Sequence, residues 1–204
     1  IRINWRPRAP ITINEMNSLS ANGTWSAVAG ATGLKVQTLF KVSGNASIEF
    51  DVAATGDGIQ NTGLSTIDLT DEDEVADVFG FIHIPTSAAL ANFNSATVRW
   101  GNDLTTNYWQ SAAKTDQADG TAFKVGWNLI KWLWSDATEV GTVTPATIDS
   151  FRIVFNVDAA ISNLKVDNFV FAVGRNFDIK YYSAFAFKNS SGTFIIRPTS
   201  DSDE

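Results

Sequence analysis

Short runs of alternating apolar and polar residues, each closed by turn-forming residues, recur along the whole chain. Phe151, Ile153, Phe155 and Val157 fall on one side of such a run, with Arg152, Val154 and Asn156 on the other. Ile48, Phe50 and Val52 likewise oppose Glu49 and Asp51. A period of two places alternate side chains on opposite faces of a strand, so these runs predict sheets with one face on a core. Strands are expected over 11–16, 34–42, 46–52, 65–69, 78–84, 97–100, 127–134, 151–157 and 164–173. Between them stand turn signals such as Asn22-Gly23, Ser43-Gly44-Asn45, Thr55-Gly56-Asp57-Gly58 and Asp119-Gly120. That rhythm predicts an all-β antiparallel sandwich or barrel. One short helical turn is expected over 86–93, after Pro85.

The two ends break the pattern. Residues 1–10 carry Arg2, Arg6 and Arg8 with two prolines and read as an extended lead-in to a sandwich over 11–174. Residues 175–204 read as a C-terminal aromatic hairpin or docking arm with an acidic end, through Tyr181-Tyr182 and Phe185-Ala186-Phe187. The chain begins at Ile1 and ends at Ser200-Asp201-Ser202-Asp203-Glu204, which reads as a piece or processed product of something longer.

Composition narrows the partners. The 204 residues suit one sandwich with a sizeable core. A net charge of -7 argues against nucleic acid, which needs a basic face to displace counterions, and against anionic lipid. No apolar run approaches the roughly 20 residues of a membrane-spanning helix. Cysteine is absent, which removes disulfides and thiolate metal sites.

Catalytic motifs are missing. His83 is the single histidine and lies in the apolar run Phe81-Ile82-His83-Ile84, where a structural role outweighs a triad role. The sequence holds no nucleophile elbow, HExxH or phosphate-binding glycine loop. Glu49 and Asp51 share one strand face, about 7 Å apart by strand geometry, as exposed strand faces often arrange carboxylates. The acidic run Asp71-Glu72-Asp73-Glu74 reads as a solvated connection. The chain is therefore expected not to be an enzyme.

The aromatics say more. Five of seven tryptophans fall between 100 and 134. Sugar rings stack their C–H faces on flat aromatics while amides, carboxylates and guanidinium groups hold their hydroxyls. The stretch Arg99-Trp100-Gly101-Asn102-Asp103 through Asn107-Tyr108-Trp109-Gln110 supplies both ingredients, and within it Trp100, Asn102, Asp103, Tyr108 and Trp109, the last two in what reads as a polar loop, are candidate ligand-binding residues. Trp132 and Trp134 are candidates too, since either face of their strand could be the core. Trp25 and Trp127 read as core anchors.

The segments Asn22-Gly23-Thr24-Trp25, 41–50, 126–130 and Val166-Asp167-Asn168-Phe169-Val170-Phe171 together resemble jelly-roll carbohydrate-binding modules, over residues 11–174. The resemblance implies a jelly-roll sandwich binding a polysaccharide or cell-surface glycan, and one structural Ca2+ held by Asp167, Glu15 and backbone carbonyls near Gly44. Calcium would need about 6 to 8 oxygens. The pattern, with its Tyr181-Tyr182-Ser183 extension, is also similar to domains of phage structural proteins. Three readings follow: a glycan-binding module of a larger extracellular or virion protein; an assembly or decoration domain of a virion, contacting neighbouring subunits through its termini; and, well behind, an enzyme. The expected location is extracellular or on a virion surface.

Overall fold

The computed structural model describes residues 9–71 and 76–173. The expected lead-in up to residue 8, the acidic run beyond Asp71 and the C-terminal arm lie outside these residues.

Among the described residues twelve strands form two antiparallel sheets. The first sheet holds β1 (Ile11–Asn14), β3 (Thr32–Gln37), β4 (Ser47–Val52), β6 (Ala76–Ile84), β9 (Gly126–Trp132) and β12 (Ile161–Val173). Its order is β3-β4-β12-β6-β9, with β1 paired to the far end of β12. The second sheet runs β10-β8-β7-β11-β5-β2. Its members are β2 (Trp25–Val28), β5 (Gly58–Asn61), β7 (Phe93–Asp103), β8 (Asn107–Gln110), β10 (Thr138–Val140) and β11 (Ser150–Val157). Of the sandwich or barrel that the alternation allowed, this is the sandwich, as the resemblance to jelly-roll modules implied. One helix, α1 (Ser87–Asn92), sits where it was expected, and Thr86 caps it by accepting a hydrogen bond from the Ala89 amide at 3.1 Å.

The inward sets of both sheets make one apolar layer. From the first sheet come Ile48, Phe50, Val52, Val78, Ile82, Ile130, Trp132, Leu164 and Val166; from the second, Ile59, Val98, Trp100, Phe151, Ile153 and Phe155, all essentially without solvent contact. Removing that area from water is the main force closing the sandwich.

Two strand expectations change. Residues 65–69 form no strand but clamp onto the chain before β11, through a single bridge between Ile67 and Ile148. Leu64, Ile67 and Leu69 are buried there, which is why they read as a strand. The strand expected over 34–42 ends at Gln37, and Leu39 and Phe40 stand exposed beyond it. Strands β2, β5, β8 and β10, of three or four residues, were too short to announce themselves.

Candidate functional site

Burial decides the fate of the expected aromatic platform. Trp100, Trp109, Trp132 and Trp134 are all buried, so none offers a flat face to a sugar. The cause is register. Trp109 lies on β8 rather than in a loop, directly opposite Trp100 on β7, and both point inward. With Trp134 they form an aromatic cluster, at centroid distances of 6.3, 5.3 and 4.9 Å, closed by Phe171. Trp132 donates its indole N–H to the Ala96 carbonyl at 3.0 Å. Trp25 is in the core as expected, but Trp127 points outward and is half-buried.

The two polar candidates hold turns. Asn102 donates to the Thr147 carbonyl at 2.7 Å and accepts from the Thr144 amide at 2.7 Å, locking the loop before β11. Asp103 accepts from the Thr105 hydroxyl at 2.6 Å and amide at 2.8 Å, shaping the β7–β8 turn. These bonds hold its carboxyl below the usual range. Of the seven residues, Tyr108 alone combines an outward position with a place beside other recognition groups.

Each sheet presents a row of side chains on its outward face. Across the first sheet, Lys35, Glu49, Lys165, His83 and Trp127 stand opposite one another in register. Glu49 is shared by Lys35 at 2.8 Å and Lys165 at 3.0 Å, with Gln37 at 3.3 Å. Burial pushes the Glu49 carboxyl up, but these partners together outweigh it and hold the carboxyl at about 2. A glycosidase acid needs the opposite shift. Asp51, its neighbour on the same face, accepts from the Asn163 amide at 2.7 Å. His83 lies against Trp127 at 5.1 Å and Phe40 at 5.6 Å. Burial first, then Lys165, lowers its basicity. The charges of this row are paired with one another, while the buried Nδ1 of His83 has no partner among the described residues.

The second sheet's row differs. Ser26, Gln60, Arg152, Arg99, Gln110 and Thr138 are consecutive partners across all six strands. At about 4.8 Å per strand the row spans roughly 24 Å. Arg152 donates through Nε and Nη2 to Gln60 Oε1, at 3.0 and 2.6 Å. Arg99 donates through Nε to Gln110 Oε1 at 2.7 Å, and lies 4.6 Å from the centre of the Tyr108 ring. Gly58 and Gly101, also on this face, add no side chains beside the row. The sequence already placed Arg152 opposite the core-facing residues of β11. Arg99 and Gln110 bounded the candidate stretch in the sequence, but Gln60, on a four-residue strand, gave no signal, and only strand pairing brings it and Arg152 beside them.

Asp167 and Glu15 were expected as calcium ligands. Asp167 is fully buried, and its Oδ2 accepts from the Val42 and Ser43 amides at 2.6 and 3.0 Å. Its Oδ1 is buried with no partner among the described residues. Burial pushes its carboxyl up, against the bonds from Ser43 and Val42, and the negative charge of Glu15 adds to the rise. Glu15 is exposed and accepts from the Asn17 side chain at 2.8 Å. Among the described residues no three carboxylates or histidines gather as a metal site. The unpartnered, buried Oδ1 is the one observation here that bears on a cation, which would need several further oxygens.

No protein-family profile matches the chain, and no curated protein matches it. Solved structures do. The family 11 carbohydrate-binding module of a cellulosomal cellulase from Clostridium thermocellum is similar at 12% identity and a TM-score of 0.54, covering 81% of this chain and 95% of that one. An exo-beta-agarase structure is similar at 10% identity and a TM-score of 0.50, over 81% of this chain and 25% of that one. A xylan-binding domain from Paenibacillus barcinonensis aligns at 11% identity and a TM-score of 0.43. At such identities the likeness is one of fold. The chain has the β-sandwich fold of carbohydrate-binding modules.

Proposed function

We propose that this chain is a non-catalytic glycan-binding module, part of an extracellular protein, whose binding surface is the outward face of the second sheet. The observation that carries the reading is the row Gln60, Arg152, Arg99, Gln110, with Tyr108 beside it. Sugar hydroxyls both donate and accept hydrogen bonds. Guanidinium groups supply donors in a fixed fork, glutamine amides supply both kinds, and Tyr108 adds a partly apolar ring. Because these groups already hold one another, little side-chain entropy is lost on binding. The fold likeness to carbohydrate-binding modules supports the same reading. A structural Ca2+ on Asp167 and Glu15 belongs to this proposal. It would neutralise the buried carboxylate and tie β12 to the end of β1.

The test is affinity electrophoresis of the full chain through a panel of soluble polysaccharides, beside Tyr108→Ala, Gln110→Ala and Trp127→Ala. Retardation weakened at least tenfold by the first two substitutions and unchanged by the third is expected. Loss in Trp127→Ala alone would move the surface to the first sheet. No retardation by any glycan, with self-association in solution, would favour an assembly domain instead.

A further inference from the structure

Arg99 and Arg152 occupy directly opposed positions on neighbouring strands, where like charges repel and destabilise the pair. Neither guanidinium can shed its proton to relieve this. A chain with 22 acidic residues against 15 basic ones has carboxylates to spare. None serves here. Both arginines are held by glutamine carbonyls, with a further 3.4 Å bond from Arg99 to the Leu104 carbonyl, and among the described residues neither forms an ion pair. Amide acceptors orient a guanidinium without neutralising it. The contrast with the first sheet is direct, since Lys35 and Lys165 there share a carboxylate.

Both arginines are also half-buried, so water screens their charge only in part. Among the described residues Arg99 Nη2 and Arg152 Nη1 have no partner, nor do the Nε2 groups of Gln60 and Gln110. The row therefore holds two oriented, uncompensated positive charges flanked by amide donors. A neutral sugar would use the donors and leave the repulsion in place; an anion would use both.

Resting on the glycan-binding reading above, we infer that this face selects an acidic glycan, seating a uronate carboxylate or a sulfate ester across Arg99 and Arg152. The two anions share the chemistry the site recognises: oxygens that accept paired guanidinium N–H bonds at short range.

The experiment is calorimetric titration of the full chain with polygalacturonate, a sulfated galactan, a neutral mixed-linkage glucan and neutral xylan, at 20 and 300 mM salt. Arg99→Gln and Arg152→Gln are run in parallel, with circular dichroism confirming their fold. The inference expects one or both acidic polymers to bind at least tenfold more tightly than the neutral ones. Their affinity should fall as salt rises, and each substitution should cost tenfold or more. Preference for polygalacturonate assigns the carboxylate, and preference for the sulfated galactan assigns the sulfate. Neutral glucan or xylan bound as tightly, through Tyr108, would overturn the acidic preference and leave the glycan-binding reading standing. Acidic binding unchanged in both variants would also overturn the inference. Failure to bind any of the four would remove the basis of both.

Discussion

Glu49 shows how one side chain sets the character of a face. Its carboxylate is buried between Lys165, equally buried, and the more exposed Lys35. Taking such a charge out of water is costly unless the partner is held in place, and removing one member strands the other. Because the folded-state carboxyl lies at about 2, below the ordinary value of 4.5, the folded protein binds its proton more weakly than the unfolded chain. The stabilisation is therefore complete above pH 4.5 and is lost as pH falls from there towards 2. Glu49→Gln should lower stability at pH 7 by about 3 kcal/mol, the usual cost of breaking a buried pair. The deficit should shrink as the pH is lowered through that window. Urea denaturation at a series of pH values would reveal it, and a constant deficit from pH 7 to 2 would contradict the assignment.

At the level of elements, β12 is where the fold is adjusted. Leu164 and Val166 point into the core, then a break in register with β6 falls between Asp167 and Val170. Asn168 takes the left-handed conformation, with φ of 48°, and the inward parity shifts by one to Phe169 and Phe171. Such a bulge inserts one residue and redirects those that follow. The Phe169 ring then lies over Gly80 of β6, where an added Cβ would come within 2.3 Å of the ring. Gly80→Ala should therefore force a buried ring out of place, at a cost of about 1–3 kcal/mol. Thermal unfolding of that variant beside wild type measures the effect. An unchanged melting temperature would mean that the ring has room to move.

For the molecule as a whole, the calcium proposal ties local chemistry to global stability. With its folded-state carboxyl raised by burial, Asp167 alone favours the fold when protonated, and that contribution declines as pH rises past the unfolded value. A bound cation reverses the balance, because the ionised carboxylate then has a partner. At neutral pH, calcium at about 100 times its dissociation constant should stabilise the fold by about 2.7 kcal/mol, and a chelator should remove that increment. Asp167→Asn should abolish the response. Differential scanning calorimetry with and without calcium decides it; identical melting curves would exclude the site. No helix among the described residues is long and apolar enough to cross a membrane.

The sequence by itself determined the sheet class, the inward sets of the longer strands and the outward place of Arg152. Each follows from a period of two within one run of residues. It could not decide which face of 127–134 met the core, because both faces carried tryptophan and the answer rests on β6 alongside. Nor could it show that Trp109 lay inside, since a four-residue strand carries too little alternation to be told from a loop. The outward row of the second sheet has a different origin again. Ser26, Gln60, Arg152, Arg99, Gln110 and Thr138 are scattered over more than a hundred positions, and six separate strands bring them into one line. Alternation within a strand is local and legible. Register between strands is set by packing of the whole core, and that is what made the site.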